Sequence, residues 1–171
     1  MPILSAENHF KKGLSALVDH NYKDAIVFFR RALDIDKERG RRHPDLRYLS
    51  YYGLSMAKAG MSTSVAIKVC RSAVARQTSH PVLLLNLGRV YMIAGKDRLA
   101  REAFDRGARV APANRVLTRE LASLERRSKP VLAMLPRNHP VNRALGKIRH
   151  SLLGSRKSSH GAAQAMPASR S

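Results

Sequence analysis

The chain has 171 residues, 44% of them hydrophobic, which is enough for one ordinary core plus a tail. Trp is absent and aromatic residues make up only 5%, so the core falls to Leu, Ala, Val, Ile and Met, a set that favours helices over strands. The net charge of +20 attracts acidic or phosphate-rich partners, and the single cysteine, Cys70, excludes an intramolecular disulfide and a thiolate metal site.

Apolar periodicity predicts helices at about 5–18, 22–37, 44–59, 63–77, 81–94, 97–110 and 114–127. The opening "MPILSAENHFKKG" lacks a basic start followed by an apolar run, and no apolar stretch is long enough to span a membrane, so a cytoplasmic protein is expected. Pro44 and Pro81 suit first-turn positions. Asn114 suits an N-cap, with Leu117, Leu121 and Leu124 on one face of the seventh helix. Pro130, Pro136 and Pro140 then interrupt an apolar segment. A basic amphipathic helix follows, with Val141, Leu145, Ile148 and Leu152 on one face and Arg143, Lys147 and Arg149 on the rest. Residues 154–171 are rich in Ser, Ala and Gly, and disorder is expected there.

The charge is uneven along this order. Residues 1–40 hold 7 basic and 6 acidic side chains, residues 41–80 hold 7 and 1, and residues 128–171 hold 8 and none.

Three glycines interrupt helical patterns: Gly13 in "FKKGLSAL", Gly53 in "SYYGLSMA" and Gly88 in "LNLGRVYM". A glycine inside a helix costs about 1 kcal/mol relative to alanine, so packing must compensate. More than glycine recurs. Ala25, Ala66 and Ala100 follow at nearly constant distance, then Phe29, Cys70 and Phe104, then Ala32, Ala73 and Gly107. Each unit reads as two antiparallel helices joined by "HNY", "AGMS" or "AGKD". In this reading the glycine faces the alanine where the helices cross, and Phe29 and Phe104 fill the space beside the small pairs.

This pattern resembles the tetratricopeptide repeat, a helix-turn-helix of about 34 residues. The third unit carries it most fully, through Leu84, Leu87, Gly88, Tyr91, Gly95, Ala100, Phe104 and Pro112. The first keeps Gly13, Tyr22, Ala25, Phe29 and Ala32, with Lys37 where the family usually has proline; the second keeps Gly53, Gly60, Ala66 and Ala73, with one extra residue in its turn. The resemblance covers roughly residues 5–114 and implies an all-α, right-handed α-α superhelix. Its parts are three hairpins (about 5–38, 44–78 and 81–114), a capping helix over 114–127 closing a repeat domain of 1–127, the extension 128–153 and the tail 154–171.

The family's first helices line a concave face that binds peptides or partner helices. The matching positions here are Glu7, Phe10, Leu14, Leu17 and Val18; Arg47, Ser50, Leu54, Ala57 and Lys58; and Val82, Leu85, Arg89, Met92 and Ile93. The implied surface is apolar at both ends and basic in the middle, through Arg47, Lys58 and Arg89, although Leu14 and Leu54 equally suit packing between helices. Some relatives clamp acidic chaperone tails with Lys, Asn and Arg at five positions. Here these are Phe10, Leu14, Tyr51, Val82 and Asn86, none of which fits, so that role is rejected.

There is no Gly-rich phosphate loop, nucleophile elbow or metal-spaced His pair, and no cofactor is implied. His43, His80 and His139 each precede a proline, which suits turns; Cys70 occupies a Phe position and reads as a buried filler, with a reactive thiol as the alternative. The expected function is non-catalytic: an adaptor or chaperone-like protein holding an apolar or amphipathic partner segment, with acidic residues to meet Arg47, Lys58 and Arg89. By analogy of fold alone, a chaperone of secretion-apparatus subunits is a further version. The alternative is a polyanion binder, for nucleic acid or an acidic membrane surface, using the basic residues of 41–171. Residues 129–153 either cover the end of the solenoid, dock a partner or meet an anionic surface; the lack of an aromatic there argues against base stacking.

Overall fold

In the computed structural model the described residues are 5–41 and 44–128. They form seven helices and no strand: α1 (Ala6–Val18), α2 (Tyr22–Glu38), α3 (Leu46–Lys58), α4 (Thr63–Arg76), α5 (Pro81–Ile93), α6 (Asp97–Val110) and α7 (Arg115–Ser128). Every helix lies within two residues of the periodicity in the sequence. Helices α1 to α6, and α7 as far as Leu124, belong to one compact unit. The expected C-terminal helix, with Arg143, Lys147 and Arg149, and the tail lie outside the described residues.

The chain folds as three consecutive hairpins, α1–α2, α3–α4 and α5–α6. The second helix of one hairpin packs on the first helix of the next, α2 on α3 and α4 on α5, while α3 also lies against α5. This is an all-α repeat solenoid. Local chemistry sets its boundaries. Ser5 caps α1 through the Asn8 N–H at 3.2 Å, and Asn114 caps the start of α7 through the N–H groups of Val116 and Leu117. Pro81 opens α5 in the first turn. Pro44 does not open α3: the cap is Asp45, whose carboxylate accepts from the Arg47 N–H at 2.8 Å, so the helix begins at Leu46.

The end of each first helix is closed in the same way. Gly60 and Gly95 sit at φ 77° and 69°, and the next N–H reaches back to the carbonyls of Met56 and Tyr91. In the first hairpin this left-handed position is taken by His20, at φ 62°.

The interior glycines have a different role from the one the sequence suggests. They face the large side chain of the second helix, not chiefly the alanine. A Cβ on Gly13 would fall 2.6 Å from the Phe29 ring, one on Gly53 2.7 Å from the Cys70 sulfur, and one on Gly88 would overlap the Phe104 ring. Phe29, Cys70 and Phe104 are fully buried on these glycines, so close packing of a ring or a thiol offsets the lost helix propensity. Gly107 repeats the device one step later, where a Cβ would meet Leu117 of α7 at 2.9 Å. Leu117 and Leu124 are buried, so α7 continues the core.

Candidate functional site

The row of first helices, α1, α3 and α5, carries the residues expected to line a binding face. Several do not reach an open surface. Phe10 is buried against Phe29, Tyr48 and Tyr51, with ring centroids 5.7, 4.8 and 5.5 Å away. Ser50, Leu54, Ala57 and Leu85 are buried as well. Their positions on the helix turn them into the joint between neighbouring hairpins, so for Leu54 the packing role is the observed one. Leu14, Leu17, Val82 and Met92 are half-buried, while Val18 and Ile93 are exposed at the turn end of their helices.

The basic middle of the face is not open charge: Arg47 and Arg89 are paired within the protein. Arg47 donates to Asp45 at 2.7–3.1 Å and to Glu7 at 3.3 Å, and its guanidinium lies 5.1 Å from the Phe10 ring centroid. Tyr48 donates to the same Glu7 oxygen at 2.9 Å. Burial opposes the charge on Asp45, but the side-chain and backbone bonds from Arg47 outweigh it and hold the carboxyl below its usual range. Burial, then the bond to Glu7, pushes the Tyr48 phenol up, so it stays a donor. Arg89 donates to Glu120 of α7 at 2.8 Å, with both side chains largely shielded. Lys58 lies 5.2 Å from the Tyr22 ring centroid. Carboxylates of the protein itself therefore answer Arg47 and Arg89.

These pairings were partly visible in advance. Glu7 and Arg47 both stand six residues before the interior glycine of their units, so opposite charges share one register on adjacent helices. Glu120 carried no comparable signal, because it requires α7 to be placed as a further first helix beside α5.

Asn86 is fully buried, and neither atom of its amide finds a partner among the described residues. With Phe10 buried too, two of the five positions of an acidic-tail clamp are closed to solvent. Cys70 is buried, its thiol directed at the Ser50 carbonyl 3.4 Å away, and burial pushes it up to about 12. It is a thiol at neutral pH and fills the hairpin as a small apolar group. Among the described residues no three His, Cys, Asp or Glu side chains converge, and no helix is long and apolar enough to cross a membrane.

The described molecule is thus a helical-hairpin repeat solenoid whose first helices carry half-buried apolar side chains and cations paired within the protein. Its fold is that of tetratricopeptide-repeat domains. The first such domain of human RPAP3 is 20% identical over 71% of this chain and 90% of its own, with a TM-score of 0.58. The domain of Sgt2 from Aspergillus fumigatus is 15% identical, covering 96% of this chain and 90% of that one, at 0.57. PcrH from Pseudomonas aeruginosa is 18% identical, covering 74% and 98%, also at 0.57. PcrH has been solved with the chaperone binding region of PopB, and the first such domain of Spaghetti (RPAP3) with the HSP90 peptide SRMEEVD. No protein-family model matches the sequence, and no curated protein does either.

Proposed function

We propose that this protein is a non-catalytic adaptor or chaperone-like module that holds a segment of a partner protein across α1, α3 and α5. The observation that carries this reading is the apolar strip left once the cations are paired: Leu14, Leu17, Tyr51 and Met92 half-buried, with Val18 and Ile93 exposed, Val18 at 74%. Water beside such a strip is released when an amphipathic segment covers it. The complexes of PcrH and Spaghetti (RPAP3) support a segment-binding use of the fold. An acidic tail of the SRMEEVD kind is not the proposed ligand, since Arg47 and Arg89 already have carboxylates and Phe10 and Asn86 are buried. The proposed ligand is predominantly apolar, and the cytoplasm is its proposed setting.

The test compares full-length protein with Leu17→Glu and Met92→Glu in crosslinked pull-downs from source lysate, under nuclease and high salt. A specific protein retained by the parent and lost from both variants, with unchanged helical circular dichroism, is the expected result. Retention by both variants overturns the reading.

A further inference from the structure

The outer face of the second and third hairpins carries a separate feature. A cleft of about 430 Å³ opens between α4 and α6, floored by α5. Leu87 and Tyr91 of α5 make its apolar floor, Val74 and Arg71 of α4 line one side, and Leu99 and Arg106 of α6 line the other. We propose that this cleft is a second docking site, for an acidic protein segment that inserts an aliphatic or aromatic anchor.

Charge is the first argument. Helix α4 has no acidic residue and carries Lys68, Arg71 and Arg76. Arg71 has no ion-pair partner among the described residues. Glu102 also lines the cleft, but Arg98 answers it at 3.0 Å, and Arg106 reaches across to the Thr78 carbonyl at 3.4 Å, so the rim stays positive. On the first hairpin the outer charges are matched instead, Arg30 with Asp34 and Arg31 with Glu38. An Arg71 without an ion pair, beside Arg106 and an apolar cleft, selects a ligand with the opposite charge and an apolar anchor.

The other occupants fit less well. Residues 128–171 hold 8 basic side chains and no acidic one, so the chain's own C-terminal segment is like-charged. A second copy brings another net +20. A single-stranded nucleic acid would lack a stacking platform, since Tyr91, the only aromatic in the lining, is buried.

A random peptide display library panned against the immobilised full chain tests the site. Peptides also retained by Ala75→Trp are discarded, because Ala75 lies exposed in the lining and a Trp there fills the cleft without changing charge. The expected survivors carry Asp or Glu beside an aliphatic or aromatic residue. A synthetic survivor should bind at least about tenfold more weakly to Arg71→Glu and, separately, to Ala75→Trp, and equally well to Met92→Glu. That last comparison separates this site from the one on α1, α3 and α5. The proposal is overturned if no Ala75→Trp-sensitive peptides emerge or if those that emerge lack acidic residues. Displacement of the selected peptide by oligo-dT, with oligo-dT itself binding Ala75→Trp as tightly as the parent, also overturns it and marks a plain polyanion surface.

Discussion

At the scale of single residues, the hairpins depend on a few places where a side chain is either missing or misplaced. Gly88 is one. Replacing it with Ala gains up to about 1 kcal/mol of helix propensity. The new Cβ overlaps a Phe104 ring that is fully buried and cannot swing away, and overpacking of this kind costs about 1–3 kcal/mol. Urea unfolding of Gly88→Ala should therefore show net destabilisation, and Phe104→Leu in the same chain should cost less than it does alone, because it relieves the overlap. His20 is the opposite case: a non-glycine residue holds the left-handed position that Gly60 and Gly95 hold in the other hairpins. His20→Gly should stabilise the fold by about 0.5–1 kcal/mol, read as a raised melting temperature. His9 adds a dependence on pH. Burial, with Lys12 and Arg31 nearby, lowers its pKa, so the folded state prefers the neutral ring. Its contribution is complete above the unfolded value near 6.5 and is lost as pH falls through the lower folded value. Between pH 7.5 and 5.5 the parent should lose more stability than His9→Gln, measured by parallel urea titrations.

Among the elements, α7 shows what the sequence made legible and what it did not. Its helical phase, Asn114 cap and buried leucines follow from local pattern, as do the other six helices, because periods of 3.6 and recurring small residues need no tertiary knowledge. Contacts between helices were less readable. Phe10, Ser50 and Leu85 sit on the expected face by register, but about 100° of rotation per residue separates an open face from a joint, and the crossing of neighbouring hairpins decides which is which. The outer cleft was invisible, since it arises from the gap between α4 and α6 and the small residues Ala75 and Ala103 on its walls. The tie of α7 to α5 and α6 is measurable. Leu117→Ala removes the side chain seated on Gly107 and should cost about 2–4 kcal/mol. A double-mutant cycle of Arg89→Ala and Glu120→Ala should return a coupling of about 0.5–1 kcal/mol, as expected for a partly exposed pair. A coupling near zero would show that the contact does not hold α7.

Across the whole repeat unit, the core is divided. One cluster runs from Leu54 through the second and third hairpins to Leu124, and the other belongs to the first hairpin and ends at Tyr48. Tyr51, Tyr52 and Leu17 touch both clusters, and the Glu7 bonds to Arg47 and Tyr48 span the same joint. In a solenoid each unit is stabilised mainly by its neighbours, so a joint made of few side chains is where cooperativity breaks first. Tyr48→Ala removes the ring packed on Phe10 and one hydrogen bond to Glu7, a loss of about 3–5 kcal/mol by analogy with other buried aromatic truncations. The damage should stay local. Hydrogen exchange at rising urea should show α1 and α2 exposing their amides well before α3 to α6, where the parent opens more nearly together. Tyr48→Phe keeps the ring and should shift the same transition by only about 1 kcal/mol. Equal loss of protection in all three hairpins of Tyr48→Ala would mean that the two clusters act as one, and that the proposed partner binding along α1, α3 and α5 cannot be tuned by loosening the first hairpin alone.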